Sequence, residues 1–151
     1  MMETTATLES TAVHVLNDLL KDCLAARETY AVAIRRIERR HDEAAIALRV
    51  MHQDHAENAR KLQKEVLALG GDPEEHTGAS GMVAKAVEGV ASFLGDASGL
   101  RALREGEERC LSDARKAMPE LEGSARTFLE MTLIPRLGKH VELLDTLIAR
   151  A

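Results

Sequence analysis

Cys23, His55, Cys110 and His140 can each bind a metal ion, and each stands where an amphipathic helix would carry an apolar residue. Two further polar residues lie close by: Asn58 is three residues after His55, and Glu107 three before Cys110. Residues three apart share a helix face, so each pair points one way. Two thiolates and two imidazoles make a four-coordinate set that suits Zn²⁺. Glu107 would add a carboxylate, as a further ligand or as a hydrogen-bonding support behind one. The plain alternatives stand beside this. A cysteine on an apolar stripe also serves as a small core residue, and a histidine there as a hydrogen-bonded core group. Tyr30 reads as core with its hydroxyl on a partner. Arg27 lies toward the same stripe, where its cation would oppose a metal or pair with Glu107.

The elements that hold these residues are helical nearly throughout. Helix 1 is expected from about Ser10 to Ile37, with the stripe Ala12, Leu16, Leu19, Cys23, Ala26, Tyr30, Ala33, Ile37 repeating every three or four residues. Asp42 is the expected N-cap of helix 2, whose stripe runs Ala45, Leu48, Met51, His55, Asn58, Leu62, Val66, Leu69 and stops at Gly70-Gly71 before Asp72-Pro73. Helix 3 spans about Leu100 to Ala117, with Leu103, Glu107, Cys110 and Ala114 on its stripe and Pro119 at its end. Helix 4 spans about Ser124 to Arg150, with Leu133, Leu137, His140, Leu144 and Leu147 inward. Pro135 should kink it, and Gly138 loosens the same turn.

Between helices 2 and 3 lies a long connection. EEHTGASG is polar and glycine-bearing, a loop. A short amphipathic helix follows it, with Val83, Val87, Val90 and Phe93-Leu94 on one face, expected to cover one side of the bundle. Short links elsewhere imply antiparallel neighbours, and one long link suits a bundle with a single crossover. Rods of roughly 18 to 28 residues are about 27 to 42 Å long. Each polar stripe residue lies near the midpoint of its rod, so Cys23, His55, Asn58, Glu107, Cys110 and His140 are expected in one layer. Residues 1–9 are expected as a disordered tail and 10–151 as a single domain.

Composition narrows the functional classes. The net charge is −5, and the aromatic residues are Tyr30, Phe93 and Phe128 alone. No basic stripe and no stacking platform for bases exist, which argues against nucleic-acid binding. No apolar run approaches the roughly 20 residues of a membrane span. Absence of a charged and apolar leader, with two cysteines far apart, points to the cytoplasm. Val32, Leu129 and Met131 are expected as exposed apolar edges, which points to a homodimer.

The stretches LNDLLKDCLAARETY, ENARKLQKEVLALGGDP, LREGEERCLSDARKAM and LIPRLGKHVELLDTL, one from each helix, resemble the ferritin-like superfamily. They look most like a bacterial family of four-helix bundles of unknown function related to rubrerythrin. The resemblance implies an all-α, ferritin-like four-helix bundle with a short helix in the crossover between helices 2 and 3. The superfamily's di-iron site takes a glutamate from each of two helices and Glu-x-x-His from each of the other two. On this chain the expected positions fall on Cys23; on His55 and Asn58; on Glu107; and on Leu137 and His140. An extra carboxylate of rubrerythrins falls on Cys110. Only Glu107 and His140 keep the expected type, so the resemblance implies a degenerate di-iron site.

Three readings follow. The first is a non-enzymatic bundle acting through self-association or a partner. The second is a single metal ion, zinc before iron, bound through Cys23, His55, Cys110 and His140 with Glu107 nearby and Asn58, Tyr30 and Arg27 behind them. The third is a residual di-iron oxidoreductase or stress-response protein.

Overall fold

The structure is a computed structural model that describes residues 2–37, 39, 41–76 and 97–151, with side-chain surroundings from residue 10 onward. Four long helical rods make up the described residues, with no strand among them. Helix α1 is Met2–Arg36. It begins before the expected start at Ser10, so residues 2–9 are helical where a disordered tail was expected. Extending an existing helix adds a hydrogen bond per residue fixed, without the cost of a new nucleus.

Helix α2 is Glu43–Ala68. Asp42 caps it as expected, its carboxylate accepting from the Ala45 N–H at 3.0 Å. Gly70, at φ 80°, turns the chain out of the helix through the left-handed region that favours glycine. Asn17 then pins the outgoing chain to α1: its amide donates to the Asp72 carbonyl at 3.0 Å and its carbonyl accepts from the Glu74 N–H at 2.9 Å. The expected crossover helix, with Val83, Val87, Val90 and Phe93-Leu94, lies outside the described residues.

Helix α3 is Ser98–Ala117, followed by a 3₁₀ turn at Met118–Glu120 that carries Pro119. The fourth rod is composite: α4 at Gly123–Phe128, a π-turn at Leu129–Leu133, and α5 at Ile134–Arg150. Pro135 explains the widened turn. It has no N–H, and its ring would strike the carbonyl four residues back. The chain opens by one residue instead of breaking, and the Ile134 N–H reaches the Leu129 carbonyl. Leu129, expected at an exposed edge, is fully buried; it lies four residues before Leu133 and eight before Leu137 and shares their inward face. Val32 is half-buried, and Met131 is exposed as expected.

The core falls into two apolar blocks. One holds Leu16 to Leu24 of α1, Ala59 to Val66 of α2, Cys110 to Ala117 of α3 and the stretch from Leu121 to Leu137. The other holds Tyr30 to Ile37, Ala45 to Met51, Leu100 and Leu103, and Leu144 and Leu147. Their membership gives the direction of every rod. The early part of α1 shares a block with the late parts of α2 and α3 and the early part of the fourth rod. The order is up, down, down, up, so α2 and α3 run parallel. Between the two blocks, at mid-height, stand His55, Glu107 and His140.

Candidate metal centre

Glu107 is the hub of this middle layer. Its side chain is 2% exposed, yet it is fully partnered. Oε1 accepts from the Tyr30 hydroxyl at 2.7 Å and from His55 Nε2 at 2.6 Å. Oε2 accepts from His140 Nδ1 at 3.2 Å. The four residues come from α1, α2, α3 and α5, one from each rod. Their rings pack as well: Tyr30 stacks on His55 with centroids 5.5 Å apart, and His55 meets His140 at 5.2 Å.

Charge in this buried layer is arranged around Glu107. Burial alone would raise its carboxyl, but the His55 charge and hydrogen bonds from both imidazoles outweigh that and hold it well below the usual carboxylate range. Burial acts on His140 in the opposite sense, lowering it, and is outweighed by the hydrogen bond and charge of Glu107 and by Asp54, so His140 lies above its ordinary value. Tyr30 is pushed up by burial and by the nearby Glu107 carboxylate, which keeps the phenol protonated and able to donate.

Asp54 was not among the sequence-level candidates. It is half-buried on α2, and its Oδ2 takes the Nε2–H of His140 at 2.8 Å. The signal was present: Asp54 precedes His55, on the flank of the stripe where a helix meets its neighbour. A carboxylate behind an imidazole holds the ring in place and aims the other nitrogen, here Nδ1, at the cluster.

The expected six-residue layer is met in part. All six are buried. Among the described residues, the donor atoms that lie within 4.8 Å of one another belong to His55, Glu107 and His140. Cys23 and Cys110 are free thiols outside that group, packed with the leucines of the first block. Burial pushes both thiols up, away from the thiolate that binds metal. Asn58 turns to Arg136, whose Nη1 donates to its Oδ1 at 2.8 Å. Arg27 is half-buried, and its charge acts on His52, lowering that imidazole after the larger effect of burial. His52 is half-buried, and His14, His41 and His76 are exposed.

Two imidazoles and one carboxylate can hold a divalent cation. His55 and Glu107 and His140 are three donors from three rods, in a site shielded from bulk water. Nδ1 of His55 and Nδ2 of Asn58, both fully buried, have no hydrogen-bond partner, so the six-residue layer holds two unsatisfied polar atoms.

A family model described as a domain of unknown function matches residues 11–120. The chain belongs to this family, DUF2383. The matched stretch carries Tyr30, Asp54, His55 and Glu107, while His140 lies beyond it. Neither the curated proteins nor the solved structures contain a match. Among the described residues no helix is long and apolar enough to cross a membrane.

Proposed function

We propose that this DUF2383 protein is a ferritin-like, non-enzymatic bundle that binds one divalent transition-metal ion through His55, Glu107 and His140. The observation that carries the reading is the convergence of these three donors, within 4.8 Å and buried, at mid-height of the bundle. The Asp54 contact on the far side of His140 supports it, because metal-bound histidines are ordinarily held this way. The up-down-down-up order, with one long crossover, supports the ferritin-like assignment.

A di-iron centre does not fit these residues. Such a centre relies on several carboxylates, and the converging group offers Glu107 alone. A single ion does fit. Two histidines with one glutamate hold zinc in hydrolases, and two histidines with a carboxylate hold iron(II) in oxygenases; zinc is the first choice because its filled d shell imposes no geometry of its own and three protein ligands suffice when a water takes the fourth position. The cysteines stay outside the proposed set.

Cobalt(II) titration tests this, since the ion replaces zinc and is coloured when bound. One equivalent should bind, with absorption bands that persist in Cys110→Ala and vanish in Glu107→Gln. Binding that survives Glu107→Gln would show that the ion sits elsewhere.

A second reading rests on the saturation of Glu107. Its two oxygens already accept from Tyr30, His55 and His140, so the layer could act as a hydrogen-bonded register pin for the four rods. Under this reading no cobalt binds, and Glu107→Gln loses the fixed alignment of the rods.

A further inference from the structure

A site buried this deeply needs a way in. His55, Glu107 and His140 are 0%, 2% and 3% exposed. Above and below them lie the two apolar blocks, through which an ion does not pass because stripping its water costs far more than alkyl side chains return. Among the described residues, a line of polar groups reaches the layer from outside. It starts at Glu57 and Arg136, whose side chains are 40% and 28% exposed, continues through Asp54 at 22%, and ends at His140.

Arg136 closes that line. It sits on α5 one turn before His140, and its guanidinium lies across three residues of α2. Nη1 donates to Asn58 Oδ1 at 2.8 Å and stands 3.5 Å from Glu57 Oε2, while Nε stands 3.8 Å from Asp54 Oδ1. The other oxygen of Asp54 holds His140. One carboxylate therefore faces a cation on the outside and the site's imidazole on the inside.

We propose that Asp54 is the entry ligand for the metal ion and that Arg136 is the gate over it. The inference rests on the metal reading above. An arriving divalent cation exchanges with the guanidinium at Asp54, one positive group for another, so the carboxylate is never left uncompensated. Arg136 swings outward on its long side chain, which is already partly in water. The ion then passes from Asp54 to His140 and Glu107. Glu57 serves as the outer latch: it helps hold the guanidinium in place and adds negative charge at the mouth.

Stopped-flow mixing with cobalt(II) tests the gate in the intact chain. Arg136→Gln removes the charge and the reach of the guanidinium and leaves a neutral polar side chain in its place. It should speed both loading and release about tenfold, the effect of lowering the barrier by one decade in rate, and change the equilibrium constant much less. Glu57→Gln, a half-exposed change that leaves every buried group in place, should quicken both rates by a smaller factor. Unchanged rates in both variants would overturn the gate while leaving the metal reading intact. Faster release with unchanged loading would also overturn it, marking Arg136 as a support of the bound state. Absence of cobalt binding in every form would overturn the metal reading and the passage with it. A metal-free readout separates the two further: the Nε2–H of His140 should exchange with water faster in Arg136→Gln, and equal exchange would contradict the gate whatever cobalt does.

Discussion

At the scale of single residues, Glu107 organises everything around it. It accepts charge-assisted and neutral hydrogen bonds on both oxygens, and bonds to a charged group contribute about 1.5–3 kcal/mol each. Glu107→Gln keeps the shape but removes the charge that the imidazoles face. It should lower unfolding free energy by about 3 kcal/mol, as breaking a buried pair from one side does, measured by urea denaturation. Tyr30→Phe removes one donor and keeps the stacked ring, so a loss of about 1 kcal/mol is expected. Asp54→Asn should leave folding nearly intact and weaken metal affinity about 10–100-fold; unchanged affinity would mean that His140 needs no carboxylate behind it. Asp22 supplies a pH dependence independent of this layer. Burial first, and then Asp113, push its carboxyl up to about 8 from an ordinary 3.8. Between those values the folded chain holds a proton that the unfolded chain has released, so stability falls as pH rises. Asp22→Asn should flatten that slope, with melting temperatures at pH 5 and pH 8 drawing together.

At the scale of elements, close approach and register decide the outcome. Gly71 leaves α2 directly against α1: a Cβ there would stand 2.6 Å from Val13 Cγ1. Valine is short and stiff at χ1, so it cannot swing clear. Gly71→Ala should cost about 1–3 kcal/mol, as overpacking does, and Val13→Ala in the same chain should recover most of it. A double-mutant cycle on melting checks the coupling. The rods were legible because leucine spacing, the Asp42 cap and the Gly70-Gly71 stop act locally. The mid-height layer was legible too, since a polar residue on an apolar stripe stands out in sequence. The partition within the layer was not. Whether Cys110 or Glu107, three residues apart on one helix, reaches the histidines depends on how the rods rotate about their axes. That rotation follows from side-chain packing across helices. Leu129 was misplaced although its spacing to Leu133 and Leu137 puts all three on one face.

At the scale of the whole molecule, the polar layer divides the core into two apolar blocks and ties all four rods at one height. An ion bound there holds the folded bundle and not the unfolded chain, so it should stabilise the protein by mass action. At a free metal concentration 100 times Kd the gain is about 2.7 kcal/mol. For a chain of this length that corresponds to a rise in Tm of about 5–10 °C, seen by calorimetry and absent in Glu107→Gln. The parallel course of α2 and α3 was foreshadowed by the long connection between them, whereas the residues gating the layer, Asp54 and Arg136, come from rods that meet only in the folded bundle. The most direct measurement is an anomalous-scattering map from crystals grown with zinc. The account predicts one peak per chain, within about 2.0–2.2 Å of a nitrogen of His55, a nitrogen of His140 and an oxygen of Glu107. A peak on the cysteine sulfurs, or none at the middle layer, would contradict it.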